Sequence, residues 1–308
     1  MNYPNFSRFI EAVKKSPFQK KKIEQYLLTR DENYFSEAEE FAVMYAGYLE
    51  SQKIDLQYAV QAYQKLCNDM MKCQIFFMKT GKYSTVSSDA DQANDNIYKN
   101  EEVMKLYMIG LALSQFLWPS HYEIYTCLLD SLKSRSKVIK NYLEIGPGHG
   151  LFLNKALEIM SPDALATAVD ISKTSIDITR SIINYLRPNA SNVVYHNIDM
   201  LKLDLNNSFD FITMGEVLEH VNFPKVLLSK LRDLLAQDGR AFVSTCVNCP
   251  AIDHVYHFKT VDEIRVMFNE CGLEIDEERI QPVEDLPFEE IMEKKITINY
   301  CAILKKSN

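Results

Sequence analysis

The chain has 308 residues, of which 47% are hydrophobic and 25% are charged, as expected for a folded globular protein of one large or two modest domains. Its formal net charge of -8 gives no overall attraction to nucleic acid or to an anionic membrane, and so favours a small-molecule substrate. The seven scattered cysteines, and the lack of a signal-like N-terminus or a long apolar run, predict a cytoplasmic protein with reduced thiols and no membrane span.

Residues 1 to about 80 are predicted to form helices almost throughout. Apolar side chains recur there at helical spacing in three stripes. The stripes consist of Phe6, Phe9, Ile10 and Val13; of Phe41, Val43, Met44, Tyr45 and Tyr48; and of Leu56, Ala59, Val60, Tyr63, Leu66 and Met70. Ser36 followed by Glu39 predicts a capping box at the start of the second helix. We expect the stripes to pack against one another in a helical domain.

Between Thr80 and Asn100 the chain becomes polar and rich in turn-forming residues. A loop of this length in a compact protein is often a mobile lid, so we expect a gate beside an active site. A strongly apolar helix then runs to Trp118-Pro119, and another covers His121 to Leu132. We predict a helical cap domain over residues 1–133 and a second domain over residues 134–308.

A glycine-rich turn opens the second domain. It has the sequence Glu144-Ile-Gly146-Pro-Gly148-His-Gly150, between a predicted strand at 138–145 and a predicted helix at 151–159. Glycine allows the backbone to bend tightly and a ligand to lie against it. A dinucleotide fingerprint requires G-x-G-x-x-G, whereas the glycines here alternate, so the spacing does not indicate a pyrophosphate site.

Beyond residue 138 strand and helix patterns alternate, as in a parallel sheet covered by helices. Further strands are predicted at 165–169, 192–198, 209–214, 240–246, 273–280 and 296–304, and further helices at 176–186, 226–235 and 261–271. Asp238-Gly239 is predicted to form the turn into the fifth strand. Asp170, followed by Ile171, stands about 20 residues beyond the glycine turn, where a carboxylate can accept hydrogen bonds from both ribose hydroxyls of a bound nucleoside.

These motifs resemble those of the class I S-adenosylmethionine-dependent methyltransferases over roughly residues 138 to 306. The glycine turn resembles motif I of that family, and Glu216-Val-Leu-Glu-His220-Val resembles a run found in many of its small-molecule members. The resemblance implies S-adenosyl-L-methionine as the cofactor. It also implies a Rossmann-like α/β fold, with a seven-stranded sheet ordered 3-2-1-4-5-7-6 and an N-terminal helical cap over the substrate pocket.

The resemblance further implies roles for individual residues. The glycines would pass under the amino acid and ribose of the cofactor, Glu144 would fix the turn and the methionine amino group, and Asp199 would accept from the adenine amino group. The expected cofactor-binding residues are Glu144, Gly146, Gly148, Gly150, Asp170, Ile171, Asp199, Met200, Gly215 and Glu216. Pro147 departs from the small, flexible residue usual in this turn, but the assignment does not depend on it.

Methyl transfer from a sulfonium is an in-line displacement, so the protein mainly aligns the reacting atoms in a dry pocket. An acceptor that must lose a proton also needs a general base. His254 and His257 are the first candidates, because their loop should border the methyl group and histidine titrates near neutral pH. Hydrogen bonding to the loop backbone is the alternative role for each. His220 is a third candidate, for which we expect mainly a local structural role.

Two metal sites are conceivable from the sequence. Cys246-Val-Asn-Cys249 is a C-x-x-C sequence, but it follows a strand rather than opening a helix, and no second pair stands at ligand spacing. Alternatively, the three histidines could converge on one ion near Glu219, although their spacing matches no recognised metal pattern. The sequence prediction is that no metal is bound.

We therefore predict methyl transfer to a small, hydrophobic or aromatic metabolite, of the kind found in secondary metabolism, at oxygen before carbon and nitrogen. The aromatic side chains of the cap favour an apolar substrate. Two alternatives remain, a non-catalytic cofactor-binding scaffold or regulator, and methyl transfer to protein or tRNA. The acidic charge and the lack of an N/D-P-P-Y sequence after the fourth strand count against the latter. The helical domain could also form a homodimer.

Overall fold

A computed structural model describes residues 3–84, 97–204 and 208–307. Most of the predicted gate falls on residues 85–96, outside the described part of the chain. Within the described ranges, no helix combines the length and the apolar character needed to cross a membrane.

The N-terminal part is helical, as predicted. Its helices are α1 (Pro4–Val13), α2 (Pro17–Leu27), α3 (Glu32–Ser51), α4 (Leu56–Thr80), α5 (Glu101–Leu117) and α6 (Pro119–Arg135). Prolines stand at the first position of α1, α2 and α6, where a backbone N–H would have no acceptor within the helix. The predicted stripes face the interior, with the exception of Val43, which is exposed.

The predicted capping box at Ser36 and Glu39 is wrong. Helix α3 begins five residues earlier, and Asp31 caps it by accepting a hydrogen bond from the backbone N–H of Tyr34 at 2.9 Å. Glu39 instead accepts hydrogen bonds from the backbone N–H groups of Asn5 and Phe6, at 3.1 and 2.7 Å. Its carboxylate therefore joins α3 to the start of α1.

The C-terminal part alternates strands and helices. The elements are β1 (Asn141–Ile145), α7 (Leu151–Ile159), β2 (Leu165–Asp170), α8 (Lys173–Leu186), β3 (Val193–Asn197), β4 (Phe209–Gly215), α9 (Pro224–Leu234), β5 (Leu235–Val247), α10 (Val261–Glu270), β6 (Leu273–Pro282), α11 (Phe288–Glu293) and β7 (Ile298–Lys306). The sheet order is β3-β2-β1-β4-β5-β7-β6, with β7 antiparallel to both neighbours. The predicted Rossmann-like sheet is confirmed.

Two strand boundaries differ from the prediction. Strand β1 begins at Asn141, because Val138 is exposed and does not join the sheet. Strand β5 begins at Leu235, so Asp238-Gly239 lies within it rather than before it. The pairing with β4 jumps from Leu235 to Arg240, and the extra residues are accommodated as an irregularity of the ladder.

The cap and the sheet share a hydrophobic core. The ring of Tyr125 on α6 stacks on Phe152 of α7, with centroids 6.3 Å apart, and Tyr48 of α3 packs against Tyr185 of α8. Asp130 of α6 forms an ion pair with Arg279 of β6 at 2.7 Å. Helix α6 therefore lies on the sheet, and the boundary at residue 133 remains a prediction.

Candidate functional site

A cavity of about 1480 Å³ lies between the carboxyl ends of the parallel strands and the helical cap. This edge is where open parallel sheets bind their ligands. A pocket for one small molecule usually measures about 300–1,000 Å³, so this cavity has room for two ligands side by side.

Nine of the ten predicted cofactor-binding residues line the cavity: Glu144, Gly146, Gly148, Asp170, Ile171, Asp199, Met200, Gly215 and Glu216. Gly150 does not line it. Its φ of 76° is left-handed, and a Cβ atom there would stand 2.7 Å from Cγ2 of Ile182 and 3.0 Å from Cα of Thr179. Gly150 therefore has a packing role, because it lets α7 begin close against α8.

Glu144 lies in β1, just before the glycine turn, and its carboxyl group connects this strand to α7. Its Oε2 atom lies 2.6 Å from the hydroxyl of Tyr142, which also lies 2.9 Å from Oγ1 of Thr213. Burial raises the pKa of Glu144 to about 8, against the hydrogen bonds that it accepts from the Tyr142 hydroxyl and the Leu153 backbone.

Asp170 stands at the tip of β2. Its Oδ1 atom accepts a hydrogen bond from the backbone N–H of Ser172 at 2.8 Å, and burial raises the pKa of the carboxyl group to about 6. The Ser172 hydroxyl in turn donates to the carbonyl oxygen of Tyr98 at 2.9 Å. This contact ties the segment that precedes α5 to the acid.

Asp199 stands at the tip of β3, before a short 3-10 helix at Met200–Lys202. Its Oδ1 atom accepts a hydrogen bond from the backbone N–H of Leu201 at 2.9 Å, so Asp199 caps this short helix. The buried side chain of Met200 lines the cavity beside it. A carboxylate accepts more than one hydrogen bond, so capping leaves Asp199 able to accept from a ligand as well.

Glu216 follows β4 with a φ of 52°, which is unusual for a residue with a side chain. Its backbone N–H is held at 3.1 Å from both the carbonyl and the hydroxyl oxygen of Ser244. The Oε1 atom is buried without a hydrogen-bond partner among the described residues. Burial, together with the nearby Glu219, raises the pKa of Glu216 well above its usual value. Strained backbone and unpaired buried polar atoms are typical of functional sites.

The three candidate histidines occupy different surroundings. His220 and His254 line the cavity, whereas His257 does not. The Nε2 atom of His257 lies 2.8 Å from Oδ1 of Asn248, and its ring packs 4.6 Å from that of Tyr83. These contacts give His257 a structural role in the loop.

The pKa values of His220 and His254 are shifted in opposite directions. Nδ1 of His220 lies 3.0 Å from the carbonyl oxygen of Asp253, and burial lowers the pKa of this histidine. Nδ1 of His254 lies 2.6 Å from the carbonyl oxygen of Cys249. Burial opposes a charge on His254, but the neighbouring Cys249 thiol and Glu219 raise its pKa to about 10.

Sequence reasoning missed a buried acid with two tyrosine partners. Asp253 is fully buried, and its two carboxylate oxygens lie 3.2 Å from the hydroxyl of Tyr98 and 3.1 Å from that of Tyr107. The Tyr98 hydroxyl also lies 2.9 Å from Nδ1 of His220. The signal available was that Asp253 directly precedes His254 in the predicted active-site loop. Nothing local indicated the tyrosines.

The profile of the family described as "Methyltransferase domain" matches residues 124–278, which is half of the chain. The chain belongs to this family. It is a class I S-adenosylmethionine-dependent methyltransferase, and S-adenosyl-L-methionine is its cofactor. The family and the cofactor predicted from the glycine turn and the strand-tip acids are confirmed. The role of each site residue stays a prediction.

Two curated relatives illustrate the similarity. The ubiquinone biosynthesis O-methyltransferase of Coxiella burnetii is 34% identical over 108 residues, covering 34% of this chain and 43% of that protein. The malonyl-[acyl-carrier protein] O-methyltransferase of Acetivibrio thermocellus is 33% identical over 118 residues, covering 38% of this chain and 40% of that protein. The matches thus span less than half the length of either relative.

Solved structures share the fold. N-methyltransferase NodS from Bradyrhizobium japonicum, solved with S-adenosyl-L-homocysteine, has a TM-score of 0.52 at 17% identity, covering 71% of this chain and 100% of that one. The mitomycin 7-O-methyltransferase MmcR has a TM-score of 0.54 at 11% identity, covering 82% of this chain and 71% of that one. At these identities the likeness concerns the fold.

Proposed function

We propose that this methyltransferase methylates an oxygen atom of a small, apolar or aromatic metabolite. The observation that carries the proposal is the cap side of the cavity, where apolar and aromatic side chains predominate. They include Tyr63, Leu66, Met70, Met71, Met104, Leu111 and Trp118. Such a wall favours an apolar acceptor. The O-methyltransferase names of the two curated relatives support oxygen as the acceptor atom.

The sheet side of the same cavity fits the cofactor. Gly146 and Gly148 both have positive φ, and they leave bare backbone where a ligand can lie close. Glu144, Asp170 and Asp199 supply carboxyl oxygens that can accept hydrogen bonds from amino and hydroxyl groups. When bound, the cofactor supplies an activated methyl group, which leaves its sulfur with the bonding electron pair staying on sulfur.

His220 is the histidine best placed to act as the general base. If its Nδ1–H donates to the Asp253 carbonyl at 3.0 Å, the lone pair of the neutral ring is on Nε2. Nε2 could then accept the proton of an acceptor hydroxyl as the new O–C bond forms. Asp253 and Tyr98 hold the ring in position. The protein's remaining task is to align acceptor and methyl group away from water.

The test is a panel of acceptors offered with methyl-deuterated S-adenosylmethionine. Phenols, alkyl alcohols, amines and enolisable ketones of similar size would be compared, together with total tRNA and a protein extract. Formation of S-adenosylhomocysteine would be followed, and the labelled product would be located by NMR. We expect turnover with hydroxyl compounds. Turnover confined to amines, tRNA or protein would refute the proposal, and cofactor binding without any turnover would favour the scaffold alternative.

A further inference from the structure

Four buried side chains with metal-ligating atoms lie near one another beside the proposed methyl-transfer site, and two of them, Cys249 and His254, line the cavity. Cys246 is the penultimate residue of β5, and Cys249 and His254 belong to the loop that follows. Glu219 comes from the short 3-10 helix at Leu218–His220. The backbone N–H groups of Val255 and Tyr256 donate to the carbonyl oxygen of Glu219 at 2.7 and 2.9 Å. These bonds hold the loop against the helix, which places Glu219 close to Cys246 and to His254.

We propose that Cys246, Cys249, His254 and Glu219 bind one divalent thiophilic metal ion, with zinc preferred. Two thiolates, one imidazole and one carboxylate form a four-coordinate zinc ligand set. Magnesium and calcium prefer sets made of oxygen atoms, so the two sulfurs select against them.

The distances fit tetrahedral coordination. Zn–S bonds of about 2.3 Å and Zn–N bonds of about 2.0 Å place a sulfur and a nitrogen ligand about 3.5 Å apart in a tetrahedron. The Sγ atom of Cys246 lies 3.7 Å from Nδ1 of His254. One ligand atom each from Cys246, Cys249 and His254 lie within 4.8 Å of one another. Binding would replace the contact between Nδ1 of His254 and the Cys249 carbonyl by a bond to the metal.

Glu219 provides an independent indication of a cation. It is 1% exposed, and its Oε2 atom accepts a hydrogen bond from the Thr245 hydroxyl at 2.7 Å. Its Oε1 atom is buried with no hydrogen-bond partner in the described part of the chain. The Glu219 carboxylate lies close to Cys246 and Glu216 in one candidate ligand set. It lies close to His220 and His254 in another. A metal ion between the sulfurs would satisfy this oxygen.

Four protein ligands complete the coordination of zinc, so the ion would be structural. It would join the tip of β4 to the loop between β5 and α10. Both segments contribute to the cavity wall, through Glu216 on one side and Cys249 and His254 on the other. Removing the ion should therefore loosen the acceptor side of the site, while the glycine turn on β1 is unaffected. Metal binding itself requires no methyl transfer, so it can be tested whether or not the proposed function holds.

The test uses the full chain, purified without chelators and with a phosphine reductant. We expect one zinc per chain by elemental analysis, and a sulfur-to-cobalt charge-transfer absorption when Co²⁺ replaces zinc. Cys246→Ser and Cys249→Ser should each abolish that absorption. Cys271→Ser is the matched control, because this buried thiol lies near the carbonyl oxygen of Lys225 and should leave the band unchanged. Glu219→Gln should weaken zinc binding at least about tenfold, since losing even an outer-shell partner costs about 10–100-fold.

A wild-type chain that takes up neither zinc nor Co²⁺ from a buffered solution would overturn the proposal. A charge-transfer band that survives Cys249→Ser, or a Cys246–Cys249 disulfide in place of bound metal, would also overturn it. Should the serine variants fail to fold, the wild-type protein decides the question. Zinc should then compete with a chromophoric chelator and protect two thiols from a thiol reagent. Equal thiol reactivity with and without zinc would refute the site.

Discussion

The hydroxyl of Tyr98 lies 2.9 Å from Nδ1 of His220, although the two residues are 122 positions apart in the chain. Tyr98 lies three residues before the start of α5, whereas His220 follows β4. The contact therefore links the cap to the tip of the sheet at the wall of the cavity. Together with the Asp253 carbonyl it fixes the orientation of the imidazole, which a general base requires.

His220→Asn should reduce kcat about 10²–10⁴-fold for a hydroxyl acceptor, because a positioned general base contributes about that much. Cofactor affinity by calorimetry should stay within a factor of two or so, since His220 is not among the predicted cofactor-binding residues. His196→Asn on β3 is the control and should have wild-type turnover. A normal kcat in His220→Asn would rule out this base.

Asp170→Asn should weaken S-adenosylmethionine binding by one to two orders of magnitude. Charge-assisted hydrogen bonds of a buried carboxylate contribute about 1.5–3 kcal/mol, and the amide keeps the volume but loses the charge. Titration calorimetry measures the change. Asp177→Asn, which removes a surface ion pair with Lys173 on the same helix α8, should leave the affinity unaltered. Equal affinities for the two variants would remove the ribose assignment from Asp170.

Cofactor affinity should also depend on pH through Asp170. Burial raises the pKa of this carboxyl to about 6 in the free protein, and the cofactor hydroxyls donate to its ionised form. Binding should therefore be strongest above about pH 6 and weaken as the pH falls through this value, because a proton must first be released. The affinity of Asp170→Asn should lack this dependence. A wild-type affinity that is flat or increases towards acid pH would contradict the assignment.

Leu111→Asn should raise the KM for an apolar acceptor while cofactor affinity stays constant. Leu111 is a partly buried residue of α5 that lines the cap side of the cavity. Losing an apolar contact of this size in a binding pocket costs about 1–3 kcal/mol, which lowers kcat/KM by about 10–200-fold. Steady-state kinetics with the acceptor varied provide the measurement. Leu28→Asn, at a residue that is 86% exposed, is the control. A rise in the cofactor Kd instead would mean that Leu111 lies on the cofactor side.

Gly150→Ala should destabilise the fold by about 2–4 kcal/mol, from a left-handed backbone penalty of about 1–2 kcal/mol and a similar cost for overlap with Ile182. Gly81→Ala should carry only the backbone penalty, because its φ of 68° is similar while the nearest atom to a Cβ is the flexible Nζ of Lys295 at 3.7 Å. The difference between the two variants therefore measures the cost of overlap at Gly150. Chemical denaturation compares the two variants. Equal losses of stability would show that overlap at Gly150 is relieved without cost.

Much of the architecture could be predicted from local sequence patterns. The alternation of apolar strands and amphipathic helices predicted the sheet, because periods of two and of 3.6 residues are local properties. The capping-box prediction was wrong, although Ser36 and Glu39 have the residue types and spacing of such a box. A cap acts where the backbone enters the helix, and that point is Asp31, whereas Glu39 lies inside the helix and accepts from the backbone of α1.

The sequence by itself determined the family, the cofactor and the strand tips that hold the candidate acids. Each of these follows from residues close together in the chain, whose geometry is set by the strand, turn or helix they form. Tertiary structure decided which candidate histidines line the cavity and where Tyr98 and Tyr107 meet Asp253. It also brought Cys246, Cys249 and His254 together, with Glu219 close to Cys246 and to His254. Those contacts depend on how the cap and the loop after β5 pack on the sheet, and no short stretch of residues encodes that packing.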